Sequence, residues 1–182
     1  MSVAAFTGGH FAQAFPSFGS ERMGAPVVAY CRIDDHPIRT REPVQVPNAL
    51  VIQDATLLHQ VDLLSGLPAN GYVLVNTART FDELGLGEFA DAHDRSRLVT
   101  VPATEIATRL VGRPVPNAVM LGGLAAIIPV LEIADVVSAI RQRFGKKIAE
   151  ANIAAASEAY QFVEASQEAA QPQPLPNSER IS

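Results

Sequence analysis

Between Gln13 and Gly24 runs QAFPSFGSERMG, a stretch whose residue types suit recognition better than a packed core. Aromatics (Phe15, Phe18), helix breakers (Pro16, Gly19, Gly24) and charges (Glu21, Arg22) crowd together directly before an apolar run. Two readings fit: a surface loop with a few buried aromatics, or a loop at a subunit or ligand interface. In the second, Gly19 and Gly24 permit close backbone approach, and Arg22 pairs with a carboxylate or phosphate group. The candidate binding residues are Phe18, Gly19, Ser20, Glu21, Arg22 and Gly24.

Other chemistry-bearing residues read as structural. His10, His36, His59 and His93 stand on separate segments at no metal-ligand spacing. Asp34 and Asp35 read as a turn, because Asp bonds locally to nearby backbone. Ser17 and Ser20 lack the GxSxG setting of a nucleophile. Cys31, the one cysteine, reads as a packed, inert thiol, and it excludes an internal disulfide or a Cys-rich metal site. Asn76 and Thr77 end a strand, where open α/β sheets often touch ligands; capping of a helix ahead of Phe81 to Leu84 is the competing role. Asn117 reads as a helix cap, and Asn152 as a structural or interface contact. No catalytic acid, base or nucleophile is assigned.

The elements that must position these residues follow from pattern. Pro26 to Ile33 reads as a strand, turning at Asp34 to His36 so that Pro37 to Thr40 returns as an antiparallel edge strand. Ala49 to Gln53, Tyr72 to Asn76 and Arg97 to Pro102 are further strands. The first two of these are almost wholly apolar, as strands buried on both faces are. Thr56 to Leu64 carries helical spacing, with Asp54 as N-cap and Ser65-Gly66 as its stop, so strand, helix and strand form a βαβ unit. The C-terminal half reads as helices over 104–111, 118–128, 131–144 and 146–163. Gly122-Gly123 allows close packing; Ile133, Val136, Val137, Ile140 and Phe144 form one apolar face. Ile148, Ile153, Tyr160 and Val163 are core candidates in the last helix. The fold class is α/β: a three-layer sandwich with a mostly parallel central sheet, one antiparallel edge hairpin and a helical C-terminal half.

Composition bounds the function classes. The 182 residues allow one domain, 1–163, and a flexible tail, 164–182, where Pro, Gln and Ser replace apolar periodicity. At 48% hydrophobic the chain has ample core, with an excess that a partner could cover. A net charge of −5 with scattered basic residues argues against nucleic acid. No apolar run reaches the ~18 residues of a membrane span, and Met1 to Phe6, with no basic start and a short apolar run, is not expected to be a signal peptide. A cytoplasmic location is the expectation.

The segment FAQAFPSFGSERMGAPVVAYCRIDDHPI, Phe11 to Ile38, carries a resemblance. It is similar to the gamma subunits of thiamine-diphosphate-dependent 2-oxoacid:acceptor oxidoreductases of the pyruvate:ferredoxin type. The similarity continues through EPVQVPNALVIQDATLL (Glu42 to Leu58), GYVLVNT (Gly71 to Thr77), PNAVMLGGLA (Pro116 to Ala125) and the helix through Phe144 to Asn152. The resemblance implies a subunit of an enzyme that oxidatively decarboxylates a 2-oxoacid to an acyl-CoA, passing electrons to ferredoxin or another acceptor. It implies alpha, beta and ferredoxin-like delta partners. Thiamine diphosphate, Mg and [4Fe–4S] clusters are expected in those partners, with none bound by this chain alone. Coenzyme A is the co-substrate, and the gamma subunit supports assembly and the coenzyme A side of the active site.

One departure stands out. Family members begin with a strand and a GRGGQG turn, which offers backbone N–H groups to phosphates; Met1 falls inside the equivalent of the following helix. The expectation is a natural protein longer by about one strand–turn unit, whose absence leaves a gap near the middle of the sheet. Phosphate binding by that turn is not carried over. The alternative to an enzyme subunit is a non-catalytic α/β ligand-binding or scaffold module.

Overall fold

The computed structural model describes residues 1–17 and 27–170. A short helix, α1 (Ser2–Thr7), leads into an antiparallel hairpin of β1 (Phe11–Ser17) and β2 (Val28–Asp34). The register runs from Phe11 opposite Asp34 to Ser17 opposite Val28. An antiparallel hairpin is present, as expected, but its strands differ from those the pattern suggests. Gln13 to Ser17, expected as loop, is strand; Pro37 to Thr40, expected as the return strand, has no regular structure. Pro16 is compatible with β1 because that strand is paired on one side only. After β2, the Asp34 carboxylate accepts the His36 N–H at 2.9 Å, which turns the chain and holds that carboxyl below the usual range. The segment beyond is then tied to the hairpin by a side chain, Arg32 donating to the Glu42 carbonyl at 2.8 Å, rather than by a ladder.

The second sheet is parallel, in the order β3 (Ala49–Ile52), β4 (Tyr72–Asn76), β5 (Leu98–Val101). Central β4 buries Val73, Leu74 and Val75 completely, as its unbroken apolar run requires. Leu74 faces a core shared with Val99, Val101 and the C-terminal helices. Val73 and Val75 face a smaller core with Ile52, Phe81, Leu84 and Leu98.

The connection from β3 to β4 is not the expected helix over 56–64. A 3₁₀ turn covers Ala55–His59, followed by irregular chain to Gly71. Asp54 does cap it, accepting from the Thr56 hydroxyl (2.7 Å) and N–H (2.9 Å). Asp62 then takes the Ser65 N–H at 3.2 Å. Such local side-chain bonds offer the backbone an alternative to the helix, while Leu58, Leu63 and Leu64 still reach the smaller core.

A short helix, α2 (Gly87–Asp91), precedes β5, and four helices follow it: α3 (Ala103–Val111), α4 (Asn117–Ala125), α5 (Ile133–Arg143) and α6 (Lys146–Ala170). Gly112, at φ 76°, ends α3 in the left-handed region that glycine adopts without strain. Helix α6 packs against α3, α4 and α5 and continues past Val163 to Ala170. Its buried face is built from Ala149, Ala155, Ala156, Ala159 and Val163, with Ile153 and Tyr160 half-buried. Among the apolar residues expected in the core, Val136, Ile140 and Val163 are buried, whereas Phe144 (41% exposed) and Ile148 (55%) are not. Phe144 leaves the helical path at the end of α5 with extended backbone, φ −120° and ψ 147°.

Candidate functional site

The candidate residues Phe18, Gly19, Ser20, Glu21, Arg22 and Gly24 lie outside the described residues. Their frame is described: they connect the Ser17 end of β1 to the Val28 end of β2, which are paired with each other. No described residue of that hairpin is fully buried. Phe11 and Val28 are exposed, as is Val27 just before β2. Phe15 and Tyr30, directly opposite in the register, hold their rings 5.5 Å apart and tilted. The hairpin thus carries apolar and aromatic surface outward on both strands.

Other expected roles resolve by geometry. Asn76 does cap a helix, but it is α3 and not the expected one at Phe81 to Leu84. Its Oδ1 accepts the Thr104 N–H at 3.1 Å; its Nδ2 donates to the Thr104 hydroxyl at 2.7 Å and the Gln53 carbonyl at 2.9 Å. One amide therefore ties the carboxyl ends of β3 and β4 to the start of α3, where the cap position is Pro102, which has no polar side chain. Asn76→Ala is expected to cost about 1 kcal/mol, from the lost cap, with Asn76→Asp recovering part of it. Urea unfolding of the three proteins checks this.

Asn117 is not a cap: it is the first residue of α4, the cap position belongs to Pro116, and no side-chain cap bond forms. Cys31 is half-buried, and burial pushes its thiol pKa up, which keeps it protonated and unreactive at neutral pH. Among the described residues no three His, Cys, Asp or Glu side chains are grouped to hold a metal. His93 is committed to the Phe89 carbonyl at 2.8 Å and stacks on the Phe89 ring.

A feature that the pattern does not signal is a groove of about 700 Å³ where α3 and α5 end and α4 and α6 begin. Leu110, Val115, Leu121, Phe144 and Ile148 supply apolar lining, joined by Met1 and Val3 from the N-terminal segment. Three cations, Arg113, Arg143 and Lys147, stand among them. No acidic residue occupies the first turn of α4 or α6, so the positive ends of both helices add to the same field. Asn152, buried to 7% exposure, lines the floor; its Nδ2 donates to the Ile148 carbonyl at 2.8 Å. The three cations come from two separate breaks between helices, each marked by Gly or Pro: Gly112-Arg113-Pro114 and Arg143-Phe144-Gly145-Lys146-Lys147. Basic residues clustering at helix breaks is the signal that could have located the groove.

The family described as pyruvate ferredoxin/flavodoxin oxidoreductase matches residues 1–162. Pyruvate synthase subunit PorC of Methanosarcina barkeri is 43% identical over 141 residues, covering 78% of this chain and 74% of the relative. The common gamma subunit of the pyruvate/ketoisovalerate oxidoreductases of Thermococcus litoralis is 39% identical over 161 residues, covering 88% of this chain and 85% of the relative. Among solved structures, the pyruvate oxidoreductase subunit PORC of Thermotoga maritima superposes with a TM-score of 0.71 at 30% identity, covering 88% of this chain and 84% of that one. The mixed α/β architecture and the sequence thus lead to one assignment: the chain belongs to the pyruvate ferredoxin/flavodoxin oxidoreductase family.

Proposed function

We propose that this chain is the gamma subunit of a multi-subunit enzyme that oxidatively decarboxylates a 2-oxoacid to an acyl-CoA. In that reaction the 2-oxoacid loses carbon dioxide, its acyl group forms a thioester with coenzyme A, and an electron pair leaves for ferredoxin or another acceptor. The gamma subunit supports assembly and the coenzyme A side of the active site. Its partners are alpha, beta and ferredoxin-like delta subunits, and the enzyme works in the cytoplasm. No helix among the described residues is long and apolar enough to cross a membrane.

The observation that carries this reading is the outward-facing hairpin, with no fully buried residue on either described strand, in a chain whose relatives are oxidoreductase subunits. Helix α1 packs on both strands of the hairpin, and the exposed Phe11, Val27 and Val28 are the apolar surface left for a partner to cover. Thiamine diphosphate, Mg and [4Fe–4S] clusters belong to the partners: four thiolates hold such a cluster, and this chain has one cysteine, half-buried and protonated. What the chain itself contributes is the segment Phe18 to Gly24, which lies in sequence between β1 and β2. There Arg22 holds a coenzyme A phosphate or a partner carboxylate, and the glycines admit the ligand to the backbone.

The test is the assembled enzyme, co-expressed from its neighbouring genes and assayed for coenzyme-A-dependent acceptor reduction with a panel of 2-oxoacids. Arg22→Ala is expected to raise KM for coenzyme A by about 10–100-fold, the loss of one charge-assisted hydrogen bond, with KM for the 2-oxoacid within about twofold. An equal loss for both substrates would remove Arg22 from the coenzyme A side. A chain that purifies alone, without cluster-bearing partners or activity, would sink the subunit reading.

A further inference from the structure

The groove between the ends of α3 and α5 and the starts of α4 and α6 has chemistry that the reading above does not use. On a chain of net charge −5 it is a basic island. Arg113, Arg143 and Lys147 stand around it, and none of them pairs with an acid among the described residues. Arg109 near the end of α3 is paired with Glu158, and Arg95 and Arg97 have aspartate partners, whereas no acidic side chain lines the groove. Between the three free cations lies apolar surface, including the large exposed side chains of Phe144 and Ile148. Asn152, also in the lining, donates its Nδ2 to the Ile148 carbonyl.

An occupant that matches this lining has an apolar body and carboxylates at its flanks. We infer that the groove is a docking site for a segment of a partner subunit of the same enzyme, an apolar stretch of chain flanked by Asp or Glu. The inference rests on the gamma-subunit reading for the existence of partners, and on charge complementarity for the identity of the occupant. Apolar anchors drop between Leu121, Phe144 and Ile148, while carboxylates reach Arg143 and Lys147 near the positive end of α6. Burial of an apolar body beside the three cations makes their carboxylate pairs stronger than on an open surface, because solvent screening falls.

The experiment compares Lys147 in the isolated chain and in the purified complex. Acetylation of lysines read by mass spectrometry is expected to mark Lys147 freely in the isolated chain and at least about tenfold less in the complex. A zero-length carbodiimide cross-link is expected to join Lys147 to an Asp or Glu of another subunit. As a second measurement, the double variant Arg143→Glu, Lys147→Glu is expected to weaken subunit association about 10–100-fold with thermal unfolding of the isolated chain unchanged. If partners co-purify but Lys147 stays fully labelled and uncross-linked, the docking proposal falls and the subunit reading stands. If coenzyme A or inorganic pyrophosphate protects Lys147 in the isolated chain, the groove is a small-anion site and the proposal is overturned. If no partner co-purifies, both readings fall together.

Discussion

Gly122→Ala is expected to destabilise the chain by about 3 kcal/mol or more, lowering Tm by roughly 6–12 °C for a domain of this size. A Cβ built on Gly122 would lie 2.6 Å from the Ala156 carbonyl carbon and 2.7 Å from its Cα, inside contact distance of backbone that cannot rotate away. Relief requires α4 and α6 to separate, and α6 also packs on α3 and α5, so the shift would spread through the helical layer. The neighbouring glycine is the internal control. A Cβ on Gly123 would meet Leu74 at 3.4 Å and Val163 at 3.5 Å, close to ordinary contact with side chains that can adjust. Gly123→Ala is therefore expected to change stability by less than about 1 kcal/mol. Urea unfolding of both variants reads the difference; equal losses would show that the α4–α6 approach is not the cause.

Leu74→Ala carries the second large effect, about 3–5 kcal/mol. Leu74 is fully buried on the central strand, between β3 and β5, and on the face covered by the C-terminal helices. Truncation leaves a cavity that those neighbours cannot collapse into, because β4 is pinned on both sides by its parallel ladders. Leu74→Met keeps the volume and is expected to cost less than about 1.5 kcal/mol. Val51→Ala, on the edge strand and 36% exposed, is expected to cost well under that of Leu74→Ala. A small loss at Leu74 in urea unfolding would mean that the sheet is less firmly closed by α4 and α6 than their packing indicates.

These two positions also divide what pattern reveals from what it hides. The apolar run Tyr72 to Asn76 announces a strand buried on both faces, because only a two-sided core tolerates consecutive Val, Leu and Val. The Gly122-Gly123 pair announces close approach, but not which glycine makes it; that depends on how α6 is rotated, and the rotation places Ala156 over Gly122 alone. The alanines of α6 were the harder case. Hydrophobic spacing points to Ile148, Ile153, Tyr160 and Val163, yet the buried face is mainly alanine. Small residues are selected there because the helices come close, and closeness is a property of the pair of helices.

The hairpin shows the same limit. Residues 28–34 have the β-branched and aromatic character of a strand, but their partner is decided by competition. Phe11 to Ser17 wins the pairing over Pro37 to Thr40, although its Pro16 argues against a strand. The Asp34 turn and the Arg32 bond to the Glu42 carbonyl send the later segment elsewhere. Asn76 was legible as a polar residue at a strand end with a capping role. Its helix was not, since Thr104 lies far away in sequence and comes near only when β4 and β5 align.

The sequence by itself determined the family, through Phe11 to Ile38 and its continuation, and with it the α/β class and the parallel core. Residue type and short-range order suffice for that, since strand character and capping chemistry are local. Tertiary structure decided which strands pair, which glycine admits a helix, and where Arg113, Arg143 and Lys147 meet beside an apolar groove. Those are relations between distant segments, set by packing and by the entropy of bringing chain ends together, and no local pattern encodes them.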